Sequence, residues 1–192
     1  TFMSTDTPSI NVTIWNEHRA EVRNDHVKAI YPDGMHGPIA DALTRAGGMN
    51  VRCAFLDDDG QGLTQEIIDG TDVLLWWGHG AHQEVTDENT DRVQKAVLGG
   101  MGYVPLHSSH ISKPFCRLMG TSGMLNWRDI GEKQRLWNLA PGHPITEGIG
   151  EYFEIPRCEM YGERWDVPTP DEQIFISWFE GGDVFRSGCV WK

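Results

Sequence analysis

Eight histidines occur in this 192-residue chain, and three of them stand just past strand-like apolar runs. His18 closes NVTIWNEH, His79 closes DVLLWWGH and His107 closes GYVPLH. In a parallel α/β sheet, ligands bind outside the carboxyl ends of the strands, so this placement points to one shared site. Two of the three open the same pattern, His79-x-x-His82 and His107-x-x-His110. Neutral imidazoles gathered there could ligate a borderline metal such as zinc, with His18, His79 and His107 as ligands and one position left open for water. The ion would activate that water or polarise a carbonyl without any protein nucleophile. The same imidazoles could instead work without metal, as general acid and base on a proton next to a carbonyl. A histidine beyond a strand can also do no more than cap backbone groups. Its recurrence at three strand ends argues for function.

Other chemistries fit the sequence less well. Ser108 and Ser109 follow a strand, as a nucleophile elbow would, but no G-x-S-x-G pattern allows the sharp turn. Gly99-Gly100-Met101-Gly102 precedes a strand and is read as a helix stop, not a phosphate loop. Cys53, Cys116, Cys158 and Cys189 lack CxxC spacing and are expected as small buried residues of a reducing compartment. His82 and His110 could support the site or lie apart from it. His26 and His36 fall in or beside a long loop, and His143, between Pro141-Gly142 and Pro144, is expected in a turn. Trp15, Trp76 and Trp77 are assigned to the core. Trp127, Trp137, Trp165 and Trp178 could line a cleft and stack on a sugar ring.

The elements that must position these residues alternate. Strands are predicted at Ile10 to Trp15, Val51 to Leu56, Val73 to Trp77 and Met101 to Leu106. Helices are predicted at Met35 to Ala46, from the Thr64 cap to Gly70, and from Thr86 to Gly99. This order implies a doubly wound parallel sheet. With the strand order 2-1-3-4, strands one, three and four are neighbours about 4.8 Å apart, and these are the three that end in histidine. The loop Asn16 to Gly34 exceeds the roughly two to six residues usual in such units and is expected to be ordered and functional. After His110 the pattern loosens into a helix between Ile111 and Met119 and short strands at Leu136 to Leu139, Tyr152 to Ile155, Ile174 to Trp178 and Val184 to Val190.

Composition narrows the function classes. A formal charge of −12 without a basic stripe argues against nucleic acid and against an anionic membrane surface. No apolar run approaches the roughly 20 residues that span a bilayer, and residues 1–9 read as a disordered lead without signal-peptide character. The expectation is a soluble, cytoplasmic protein with a single domain over residues 10–192 that acts on a small molecule.

The motifs VTIWNEHR, AIYPDGMH, DVLLWWGHGAH, GMGYVPLHSSHISKPF, WRDIGEKQRLW, APGHPITEGI, EMYGE and FISWFEGGDVFRSGC run through nearly the whole chain. In type, order and spacing they resemble the trehalose utilisation protein ThuA family. The resemblance implies a flavodoxin-like three-layer sandwich with a mainly parallel central sheet, similar to class I glutamine amidotransferases. It also implies a role in disaccharide or keto-sugar catabolism, with a sugar as the substrate. It puts His18, His79 and His107 at the pocket, with Glu159, Tyr161 and Glu163 of EMYGE as companions, of which Glu163 or Tyr161 would move protons; His110 is a further catalytic candidate. In the related glutaminases a catalytic Cys occupies the place that His107 takes here, so amidotransfer is not expected. Family members are expected to continue with another strand and a His-bearing loop that this sequence does not contain. A sugar- or keto-sugar-directed, zinc-assisted enzyme is the first expectation. A metal-free isomerase or lyase is the second, and a non-catalytic sugar-binding module the third. Trp-rich segments in the second half leave room for a homo-oligomer.

Overall fold

The computed structural model describes residues 9–192, so all but the last residue of the expected N-terminal lead lies outside the described residues. Backbone contacts gather in two compact units, the first ending at Leu118 and the second spanning Met119–Lys192.

In the first unit, β1 (Ile10–Asn16), β2 (Met49–Phe55), β3 (Val73–Trp77) and β4 (Gly102–Leu106) form a parallel sheet in the order β2-β1-β3-β4. That is the order assumed from sequence. The register sets Asn16 against Trp77 and Trp77 against Leu106, so three strands finish level with one another. The long loop is ordered: α1 (Ala20–Arg23) and α2 (Asp25–Ile30) occupy it, followed by a turn closed by Gly34 N–H donating to the Tyr31 carbonyl at 3.0 Å. Helices α3 (His36–Ala46), α4 (Gln65–Asp69), α5 (Asp87–Leu98) and α6 (Lys113–Met119) complete the unit. The Thr64 and Thr86 hydroxyls cap α4 and α5 by accepting from the N–H groups of Ile67 and Asn89, which satisfies donors that the helix leaves open.

The core beneath the strand ends is aromatic. Trp15 and Trp76 are each 1% exposed and stack with ring centroids 3.8 Å apart. Leu63, Leu74, Val85 and Val93 close around them. Trp77, expected in the core, is only half-buried and lies nearly parallel to the His107 ring at 6.4 Å.

The second unit is an antiparallel sheet, ordered β6-β5-β7-β8, of β5 (Asn126–Asn138), β6 (Tyr152–Gly162), β7 (Glu172–Phe179) and β8 (Val184–Val190). Two of these strands are far longer than predicted. In β5 a register break lies between Arg128 and Glu132, where Gly131 turns at φ +74°, and this hides the alternation that marks a strand. In β6, Pro156 ended the predicted run, but an edge strand tolerates a residue with no N–H to donate. Leu125, Met160, Tyr161, Phe179 and Phe185 form the core of this unit, while Trp127 and Trp178 are exposed.

The four cysteines are unbridged and half-buried. Among the described residues, no helix is long and apolar enough to cross a membrane.

Candidate functional site

His18 and His107 each leave their strand in a left-handed backbone conformation, at φ +50° and +35°. Such conformations cost a residue with a Cβ about 1–3 kcal/mol, persist only where the surroundings impose them, and cluster at active sites. His107 therefore makes the sharp turn for which the sequence showed no glycine-bracketed motif. A 3₁₀ helix, His107–Ile111, begins there.

The side chains sort into two groups. In the first, Asn16 Oδ1 accepts the His18 backbone N–H at 2.8 Å, which fixes the amide orientation. Asn16 Nδ2 then donates to Glu21 Oε1 at 2.8 Å and meets His36 Nδ1 at 3.1 Å. His36 must accept there, so its proton sits on Nε2. Burial, with a smaller push from His18, lowers the His36 pKa. Glu21 is 3% exposed. Burial pushes its pKa up, but hydrogen bonds from Asn16 and the Met35 N–H outweigh this and hold it below the usual carboxylate range. Its Oε2 is buried without a hydrogen bond. His18 and His36 meet edge to face, 5.5 Å between centroids, and both rings pack on Phe55.

In the second group, Ser108, 6% exposed, stands between two imidazoles. Its Oγ lies 3.0 Å from His79 Nδ1 and 3.2 Å from His107 Nδ1. Desolvation of the ring, reinforced by His110 and His79, lowers the His107 pKa to about 4. One side of the residue stays open to solvent, and water screening moderates that shift. His79 is exposed. His82 is 6% exposed, neither of its ring nitrogens makes a well-formed hydrogen bond, and burial lowers its pKa.

Glu17 links the groups. It is 2% exposed, its backbone N–H continues the ladder by donating to the Trp77 carbonyl, and its carboxylate accepts from the N–H groups of His79, Gly80 and Ala81 at 2.7 to 2.9 Å. Consecutive N–H groups of this kind form an anion-binding nest, filled here by the protein's own carboxylate. Beside it, Arg19 holds Asp57 with two hydrogen bonds and Glu84 with a third.

A zinc ion bound by His18, His79 and His107 would need all three nitrogens about 2.0–2.1 Å from one point. Among the described residues, no three His, Cys, Asp or Glu side chains are gathered in a way that could hold a metal ion. The strands that carry the three histidines are adjacent as expected. The imidazoles are held differently, His18 with His36 and His79 with His107. Ser109 is committed to structure, donating to the Trp76 carbonyl and accepting the Gly78 N–H. His143 is a turn residue, its Nδ1 accepting from the Ile145 N–H.

The EMYGE residues lie in the second unit. Glu159 and Tyr161 are on β6, where Tyr161 packs edge to face on Phe185. Glu163 accepts from the Arg186 side chain at 2.9 and 3.0 Å and from the N–H groups of Arg186 and Trp165. Burial pushes the Glu163 pKa up, but these bonds override it and hold the group below the usual carboxylate range.

Sequence reasoning passed over Asn16 and Glu21 and gave His36 little weight. The available signal was their place in or next to an unusually long loop after β1.

Residues 11–181 match the ThuA family, described as trehalose utilisation. The chain belongs to that family. Two solved structures described as ThuA-like are similar in fold. One, from Bacteroides uniformis, is 14% identical with a TM-score of 0.63, over 99% of this chain and 78% of that one. The other, from Parabacteroides merdae, is 14% identical with a TM-score of 0.61, over 89% and 68%. The comparison with curated proteins gives no match. ThuA membership and the α/β fold thus agree with the expectation from motifs.

Proposed function

We propose that this ThuA-family chain transforms a keto-sugar, such as the oxidised keto form of a trehalose-like disaccharide, by metal-free acid–base chemistry, with His79 and His107 as the proton-handling pair. The observation that carries the reading is that two imidazoles from adjacent strand ends converge on one buried hydroxyl, Ser108. In this reading one imidazole takes a proton from the carbon next to a carbonyl while the other supplies a hydrogen bond and then a proton to the oxygen. The intermediate is an enediol, which an isomerase reprotonates at carbon and a lyase collapses to an enone, the leaving oxygen taking up a proton. His18 and His36 supply hydrogen bonds to sugar hydroxyls. The paired arrangement of donors favours proton transfer over ligation by three histidines.

The test is turnover across oxidised and unoxidised disaccharides, with protein purified away from nickel, in the presence and absence of a chelator. The expected result is chelator-insensitive turnover that falls about 10²–10⁴-fold in His79→Ala and in His107→Ala. Turnover lost to chelator and restored by zinc would replace this reading with the metal-assisted one. Tight binding without turnover would replace it with a binding module.

A further inference from the structure

The Ser108 hydroxyl constrains where the protons of this pair can sit. A serine hydroxyl has one proton to donate and two lone pairs to accept with. The structure gives the Ser108 Oγ two hydrogen-bonding contacts, the Nδ1 atoms of His79 and His107. The hydroxyl is buried, and leaving its proton unbonded would cost roughly 1–3 kcal/mol. Its O–H must therefore point at one Nδ1, which has to be a bare lone pair. The other contact is a hydrogen bond only if the second Nδ1 carries a proton and donates to Oγ. Two neutral imidazoles satisfy both contacts only when their tautomers are opposite.

We propose that Ser108 holds His79 and His107 in opposite neutral tautomers, one Nδ1–H and the other Nε2–H, and so acts as the positioning residue of the pair. The first ring presents a lone pair at Nε2, which makes it the base. The second presents Nε2–H, which makes it the acid. On the acid–base reading above, on which this part rests, the three groups also form a relay. The base takes the substrate carbon's proton at Nε2 and passes its Nδ1 proton to Oγ. Ser108 passes its own proton to the second Nδ1, and that ring gives its Nε2 proton to the carbonyl oxygen. One proton enters, one leaves, and both imidazoles end neutral with their tautomers exchanged. No imidazolate forms and no charge is left at the site.

The experiment is ¹⁵N NMR of the imidazole nitrogens above pH 7 without substrate, with His79→Gln and His107→Gln spectra assigning the two rings. The expected wild-type spectrum shows one ring as Nδ1–H and the other as Nε2–H. In Ser108→Ala the Nδ1–H form should drop from nearly all of one ring to a minority, and Ser108→Thr should restore it. Both rings in one tautomer in the wild type, or an opposite pattern that survives Ser108→Ala, would overturn the proposal. The wild-type spectrum decides even if the alanine variant fails to fold. Because it needs no substrate, opposite tautomers in a chain that turns over no sugar would defeat the acid–base reading and leave the pairing standing.

Discussion

The backbone N–H of His79 donates to Glu17 Oε2 at 2.7 Å, so the loop carrying this imidazole hangs from a carboxylate at the end of the neighbouring strand. The Gly80 and Ala81 N–H groups share the same carboxylate. Glu17→Ala would leave three donors without their acceptor. The loss should be about 3 kcal/mol or more, since bonds to a charged group contribute about 1.5–3 kcal/mol each and do not simply add. Glu17→Gln, which keeps one accepting oxygen, should lose less. Urea unfolding midpoints rank the three proteins, and equal midpoints for Glu17→Ala and wild type would refute the anchoring role.

Stability should decline in acid from a specific source. The folded pKa of His107 is lowered to about 4, and those of His36 and His82 are lowered as well, each mainly by burial. Between the unfolded value near 6.5 and the folded one, the unfolded chain binds more protons, so stability is full above about pH 6.5 and is lost as pH falls toward 4. His107→Asn, which tolerates the left-handed backbone and does not titrate, should flatten part of that slope. Thermal unfolding between pH 4 and 7.5 reads it directly.

Gly34 sits at φ +84°, and a Cβ there would collide with His36 Cε1 and stand 3.3 Å from His18 Nε2. Gly34→Ala should therefore cost about 1–2 kcal/mol in backbone strain alone. It should also push His36 off Asn16. The His36 ring resonances should shift while those of the His79 and His107 pair stay in place, and perturbation of all of them alike would contradict two separate groups.

In the second unit, the Glu163 to Arg186 pair should show coupling of stability rather than chemistry. Both side chains keep partial solvent access, so the pair is worth only about 1 kcal/mol after screening. A double-mutant cycle with Glu163→Gln and Arg186→Met, read by denaturant unfolding, measures it. A collapse of turnover in Glu163→Gln with unchanged stability would make this residue part of the chemistry.

Much of the first unit was legible because its signals are local. β3 runs over the predicted residues, α4 and α5 begin after Thr64 and Thr86, and the strand order places the histidine-bearing strands side by side. The second unit was harder because Gly131 and Pro156 interrupt strands that only pairing can reveal. At the site, histidine positions follow from strand ends, but side-chain partnership does not. Sequence showed His18, His79 and His107 as equals. The preference of His18 for His36 depends on Asn16 and on the Gly34 turn, and the joining of His79 to His107 depends on Ser108 lying between them.

The stacked pair Trp15 and Trp76 has a practical consequence. Each indole lies three residues upstream of a site histidine, His18 or His79, on neighbouring strands. Two chromophores this close couple their electronic transitions, and the resulting circular dichroism couplet depends steeply on their separation and twist. The molecule thus carries an unlabelled optical gauge at the ends of β1 and β3, able to register any change in the spacing or twist of those strands.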